Sequence, residues 1–254
     1  QQLTSVMAFE MSAFYKDIRD LLALQSIRYD SEKYGPSNYA IYMNKDYGNV
    51  KGFTFSLTKR YDRVTKTSAF VDYTYQVTEG NSVKSGSFYY NALSGEEEEK
   101  RIVPLSWDQR HILNSTVSVG DPGNWNLGLI SKLSSGWPYT PNIPDANYIP
   151  LSNSGRKPWQ WRIDMRLHKN FKVGKFQYIV YTKIYNLLDR RNERYVFNDT
   201  GRAGYTYVSQ STQETKGFVD HYGESGVHTW SEYQVRPQYY TAPRSINIGF
   251  SLDF

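Results

Sequence analysis

The last ten residues, SINIGFSLDF, alternate without a break. Ile246, Ile248, Phe250, Leu252 and Phe254 take every second position, and Ser245, Asn247, Gly249, Ser251 and Asp253 fill the places between. A strand sends successive side chains to opposite faces, so the segment has one apolar face and one small or polar face. That apolar row has to be buried, either in a protein core or in a bilayer.

The same period recurs along the chain. Met7, Phe9, Met11, Ala13 and Tyr15 share one parity within residues 3–16. A polar segment at 17–37, containing Gly-Pro-Ser-Asn, reads as a loop. Phe53, Phe55 and Leu57 alternate with small residues in an extended stretch at 39–61, and a short bridge at 62–66 leads to Ala69, Val71, Tyr73, Tyr75 and Val77. A long polar loop is expected at 78–106, with four glutamates at 96–99 that read as a solvated charge run. Leu113 to Val119 then alternates, turns at Asp-Pro-Gly-Asn (121–124), and returns through Trp125, Leu127, Leu129 and Leu133. After a Pro- and Asn-rich loop at 138–158, Trp159, Trp161, Ile163, Met165 and Leu167 face one way, opposite Arg162, Asp164, Arg166 and His168. A short turn at 173–175, a strand at 176–186 and a long loop at 188–241 complete the chain before the terminal strand.

This gives about eight strands joined by alternately long and short connections, the layout of an outer-membrane barrel. About ten residues per strand, tilted about 45°, span roughly 25 Å of apolar band. A soluble sandwich or propeller would also alternate, but would not confine the long loops to one end. The expected fold is therefore all-β, a transmembrane antiparallel β-barrel with a polar row for the lumen and an apolar row for lipid. Composition agrees. Aromatic residues make up 16% of the chain while mean hydropathy is only −0.66, a balance of amphipathic rings over aliphatic core material. No run of about 18 apolar residues is present, as a membrane helix would need. There is no cysteine, hence no disulfide framework. The formal charge of +5 is spread among acids and bases and makes no nucleic-acid footprint.

Several segments resemble TonB-dependent outer-membrane receptors. The terminal strand is similar to the assembly signal that ends such barrels, on Ile246, Ile248, Phe250, Leu252 and Phe254. MSAFYKDIRDLL (11–22), YMNKDYGNVKGFTFSLTKR (42–60), WDQRHILNSTVSV (107–119), LGLISKLSSGWPYTP (127–141), WRIDMRLHKNF (161–171) and YTKIYNLLDRRN (181–192) resemble successive strands of the same barrel, in order. The resemblance implies a barrel of 22 strands filled by a plug, located in the bacterial cell outer membrane and powering nutrient uptake from the inner membrane. Residues 1–254 then correspond to the C-terminal portion of that barrel, without plug or energy-coupling box. Implied partners are outer-membrane lipid, the plug and N-terminal strands, the TonB complex through the N-terminal region, the barrel-assembly machinery and a surface lipoprotein, with no nucleic acid and no cofactor. A self-contained eight-stranded adhesin or structural barrel is the alternative reading, and an outer-membrane hydrolase a more distant one.

Candidate sites follow from side-chain chemistry. Exposed aromatics among polar residues suit ligand contact, which singles out Tyr205, Tyr207, Trp230, Tyr233, Tyr239 and Tyr240 in the last loop. His221, Glu224 and His228 could offer nitrogen and oxygen to a metal, but their spacing matches no zinc signature and the expectation is no metal. His111 and His168 read as strand residues rather than general bases. Neither a phosphate cradle nor a nucleophile elbow occurs, so no enzyme is expected. Replacing Ile163 or Phe250 with Arg at mid-bilayer should cost roughly 2–4 kcal/mol. The measure is the folded fraction recovered in membranes, and unchanged assembly of both variants would argue against a lipid-facing row.

Overall fold

The computed structural model describes residues 1–31, 33, 35–81, 101–142, 150–207, 232 and 234–253. Eight strands form one antiparallel meander in which each strand pairs with the next long strand in sequence. They are β1 (Met7–Ser31), β2 (Gly35–Asp62), β3 (Thr67–Gly80), β5 (His111–Asp121), β6 (Trp125–Ser134), β9 (Gln160–Val173), β10 (Phe176–Tyr185) and β11 (Ser245–Asp253). Three two-residue strands are added at the long-loop end. β4 (Val103–Pro104) pairs with the end of β3, and β7 (Pro138–Tyr139) pairs with β8 (Gly155–Arg156).

The three short turns fall where the sequence predicts them, each with a local cause. Asp62 accepts hydrogen bonds from the backbone of Val64 (3.1 Å) and Thr65 (3.2 Å), and the chain reverses through Lys66 at φ +50°. Asp121 does the same for Gly123 N–H (3.3 Å), and Gly174 supplies φ +63° at the third turn. Gly120 N–H donates to Lys66 O (2.9 Å) and Asn170 N–H to Asn124 O (2.7 Å), so the turns are tied together along one rim.

Cross-strand register sorts the side chains into two faces. Met11, Phe55, Tyr73, Leu113, Leu133 and Trp161 are successive partners along one row, all apolar or aromatic. The neighbouring row, Glu10, Ser56, Asp72, Asn114, Lys132 and Arg162, is wholly polar. Ser56 donates to Asp72 (2.6 Å) and Thr54 pairs with Thr74 (3.3 Å) on that polar face. The register also drifts. A line of partners from Lys59 and Ala69 reaches Met165 and Ile184; it lies five residues from the midpoint of the first short turn and nine and a half from that of the third. With the turns on one rim, about 4.5 residues over four strands correspond to a tilt of roughly 40°, within the range of membrane barrels.

One expectation is corrected. The polar segment at 17–37 is not a loop, since β1 and β2 continue pairing to Ser31 and Gly35. β3 stops opposite Gly48, so the hairpin stands about 13 residues, or roughly 40 Å, beyond it as a two-stranded ribbon. A register shift between Ile18 and Leu21, with Asp20 at φ +59°, changes the phase of the alternation there. Past that bulge the two-residue alternation lapses: Leu21, Leu22, Ala23 and Leu24 follow one another without a polar residue between them.

The sheet has two edges: among the described residues no pairing joins β1 to β11. On its outer side β1 is met by the first residues of the chain. Gln1 N donates to Phe9 O (2.6 Å), Phe9 N–H to Gln1 O (2.8 Å), and Gln2 bridges Ala8.

On the polar face, aromatic rings lie over cross-strand glycines. A Cβ at Gly249 would meet the Tyr181 ring at 2.1 Å, and one at Gly52 would lie 2.9 Å from the Phe14 ring. Such rings pack where a side chain would stand and pin the register. Gly249→Val should therefore destabilise the β10–β11 pairing by about 1–3 kcal/mol, measured as a lower urea midpoint of the folded protein in detergent.

Candidate functional site

The long-loop end is where polar side chains become buried. Asp108, in the segment leading into β5, is fully buried. Its Oδ1 accepts from Thr78 N–H and Thr78 Oγ1, both at 2.9 Å, which ties it to the end of β3. Its other oxygen meets the guanidinium of Arg156 on β8 and that of Arg110 at 3.4 Å, and Arg156 also donates to Asp108 O (2.6 Å). Burial alone would push the Asp108 carboxyl up. The hydrogen bonds from Arg156 and Thr78 outweigh it and hold the group below the usual carboxylate range. Asn153 donates to Pro104 O (2.8 Å) beside it, so three separate loop segments close into one cap.

A second knot closes the last loop. Asn186, at φ +54° after β10, donates its backbone N–H to Asp164 Oδ1 (2.8 Å) and donates through Nδ2 to Arg190 O and Ala242 O, each at 3.1 Å. Asn192 pairs with the Trp161 backbone as a strand residue would, Oδ1 accepting and Nδ2 donating at 2.9 Å. Glu193 bridges Tyr240 in the backbone, while its carboxylate takes Arg202 (2.8 Å) and Ala203 N–H (2.6 Å). Between these strands of loop lies a cavity of about 520 Å³, walled by Arg191, Gly204, Val235, Arg236, Pro237 and Tyr240 among others.

The six aromatic candidates separate. Tyr240 lines the cavity. Tyr239 packs on Phe197 (5.3 Å between ring centroids) and Tyr195 (5.9 Å), and its carbonyl accepts two backbone N–H groups, so it builds the loop. Tyr205 and Tyr207 form an exposed edge-to-face pair at 5.9 Å. Trp230 and Tyr233 lie outside the described residues, as do His221, Glu224 and His228, the glutamates at 96–99, and Phe254.

Arg162, Asp164, Arg166 and His168 share one face of β9, opposite Lys132, Ile130, Gly128 and Asn126 of β6. Arg162 Nε donates to Asp164 Oδ1 (2.8 Å), the same oxygen that holds Asn186. Ile246, Ile248, Phe250 and Leu252 share the other face, opposite Ile184, Thr182, Val180 and Tyr178. His111 sits on the apolar face between Tyr75 and Trp159, with Nδ1 2.8 Å from Tyr73 Oη.

Sequence reasoning did not find Asp108, Asn186, Asn192 or Glu193. They stand in segments without periodicity, and their importance comes from backbone groups supplied by distant loops.

These features define the class of fold: an all-β, transmembrane-type antiparallel barrel wall with its long connections at one end. No family model and no curated protein matches the sequence. Among solved structures, the crystal structure of the outer membrane transporter YddB from Escherichia coli is similar, with a TM-score of 0.56 and 13% sequence identity. The match covers 78% of this chain and 28% of the transporter's, so the chain spans well under a third of that protein's length.

Asp108→Ala should leave Arg156 without its carboxylate and Thr78 N–H without its acceptor, loosening the cap by about 3 kcal/mol. The Thr78 amide exchange rate reads this directly. Because the folded carboxyl binds its proton more weakly than the unfolded one, this contribution is present at neutral pH. It is lost as pH falls below the ordinary carboxylate value of about 4.

Proposed function

We propose that this chain is the C-terminal wall of a TonB-dependent receptor in the bacterial outer membrane, taking up a nutrient captured by its long loops. The observation that carries the reading is the pair of open edges on a sheet whose two faces are sorted for lipid and lumen. A sheet edge facing hydrocarbon leaves unpaired N–H and C=O groups, each costing several kcal/mol, so membrane sheets close. Closure of this one through further strands gives a larger barrel. Gln1 and Gln2 support that direction. They already pair with β1 in antiparallel register across a four-residue connection on the same rim as the other short turns.

A lumen wide enough to pass a nutrient needs a gate, which the plug of such receptors supplies, and the TonB complex supplies the energy. The likeness to an outer membrane transporter supports the same reading. The remaining strands and plug, the barrel-assembly machinery, lipid, and a surface lipoprotein over the loops are the partners this role entails.

The coding sequence upstream of Gln1 tests the proposal. It should encode a plug domain and further alternating strands, and uptake by cells carrying the whole receptor should stop when TonB is deleted. A signal peptide directly before Gln1, or uptake indifferent to TonB, overturns it.

A further inference from the structure

Two pairs of like charges stand directly opposite one another on the polar face. Lys132 of β6 partners Arg162 of β9, and Arg166 of β9 partners Lys183 of β10. Like charges so placed repel and weaken a sheet, and an anion between them relieves the repulsion.

The acids on this face do not supply that anion. Among the described residues, the polar faces of β5, β6, β9, β10 and β11 carry two carboxylates, Asp164 and Asp253. Asp164 stands two positions from both Arg162 and Arg166, and its field reaches Arg166. Its Oδ1, however, already accepts from Arg162 Nε and the Asn186 N–H, both at 2.8 Å. Asp253 is opposite Gln177, six residues along β10 from Lys183, or roughly 20 Å away. Asp72 of β3 shares the row of Lys132 but lies two strands off, at roughly 10 Å, and accepts from Ser56 (2.6 Å). Four cations therefore stand around one carboxylate, a net of three positive charges. Among the described residues Arg166 donates no hydrogen bond, and Lys183 Nζ has the face of the Tyr181 ring, 5.1 Å from its centroid.

The row through the second pair has room and no apolar member. Gly128, Arg166, Lys183 and Asn247 are successive partners across β6, β9, β10 and β11. Gly128 leaves the space beside Arg166 open: a Cβ there would meet one atom within 4 Å, the Arg166 carbonyl oxygen at 3.9 Å. One row nearer the short turns, the Tyr181 ring that carries Lys183 is itself laid over Gly249, which fixes its position.

We propose that Arg166 and Lys183 bind a small tetrahedral dianion, inorganic phosphate or the phosphate of a phosphomonoester, in the field of Lys132 and Arg162. The planar donors of arginine and the point charge of lysine are the two side-chain chemistries that hold phosphate. A dianion offsets more of the excess charge than a carboxylate does, and a row without apolar side chains suits a ligand that is polar throughout. The role of the site, on the path of an anionic nutrient, rests on the receptor reading, but the binding itself is a separate property.

Calorimetry on the full-length protein in detergent micelles tests this with inorganic phosphate, glycerol 3-phosphate and acetate. It is run at constant ionic strength and about pH 8, where a phosphomonoester is a dianion. Both phosphates should bind at least about tenfold more tightly than acetate. The double variant Arg166→Gln/Lys183→Gln should erase that difference. Lys172→Gln, on the same face but opposite Gln177 at the short-turn end, should leave it within about twofold. Gly128→Glu brings a carboxylate into the row, so it should abolish phosphate binding and raise the urea midpoint. Retention of the heat-modifiable folded band establishes that each variant is folded. Tighter binding of glycerol 3-phosphate assigns the site to a phosphomonoester, and tighter binding of inorganic phosphate to the free ion. Equal affinity for phosphate and acetate overturns the proposal, as does a difference that survives the double variant or is lost in Lys172→Gln. So does unchanged binding by Gly128→Glu, or no phosphate binding up to millimolar concentration, the result expected if carboxylates of another segment occupy the pair. Phosphate-selective binding by a chain whose gene encodes a signal peptide directly before Gln1 would overturn the receptor reading and keep the site. A plug domain upstream with no phosphate selectivity would do the reverse.

Discussion

The structure depends on the ladder of inter-strand hydrogen bonds. A backbone in hydrocarbon has no water to bond, so each amide must find a partner in the next strand. Among the described residues, eight strands meet that demand for one another, with no pairing between β1 and β11 and with β1 and β2 continuing as a two-stranded ribbon beyond Gly48. Everything else is arranged around this ladder. The short turns hold one rim level through aspartate side chains and bonds between neighbouring turns, and the drift of register tilts the strands by roughly 40°.

The two faces and the two ends divide the remaining work. On the apolar face, rings from Phe9 through Phe55, Phe53, Tyr75 and His111 to Trp159 follow one another at centroid distances of 5.1–6.1 Å, climbing from the short-turn side of β1 to the long-loop end of β5 and β9. On the polar face, hydroxyls and carboxylates satisfy each other across strands, and rings cover glycines. The long-loop end uses neither device. There, buried Asp108, Asn186 and Asn192 reach backbone groups of the described loop segments and tie those segments together through polar knots rather than an apolar core.

Legibility in the sequence followed periodicity closely. Trp161, Ile163, Met165 and Leu167 opposite Arg162, Asp164, Arg166 and His168 is a pattern only a two-faced strand explains, and the structure places them so. The β1 half of the ribbon beyond Ile18 was illegible because the bulge at Asp20 breaks the phase and the consecutive Leu21, Leu22, Ala23 and Leu24 carry no two-residue alternation. Among the last-loop aromatics, composition could not separate Tyr239 from Tyr240. They are adjacent in sequence, yet one ring is packed on Phe197 and the other faces a cavity.

By itself the sequence determined the strand order, the short turns, and which side chains share a face. Those properties are local: a period of two residues and an aspartate or glycine at a reversal are enough to set them. Only the tertiary structure decided that β1 and β11 are not joined among the described residues, that Asp108 binds three segments together, and that Arg191 and Arg236 line one cavity. Each of these depends on which distant backbone or side chain arrives opposite a given group. That follows from the register accumulated across many strands, and no window of sequence contains it.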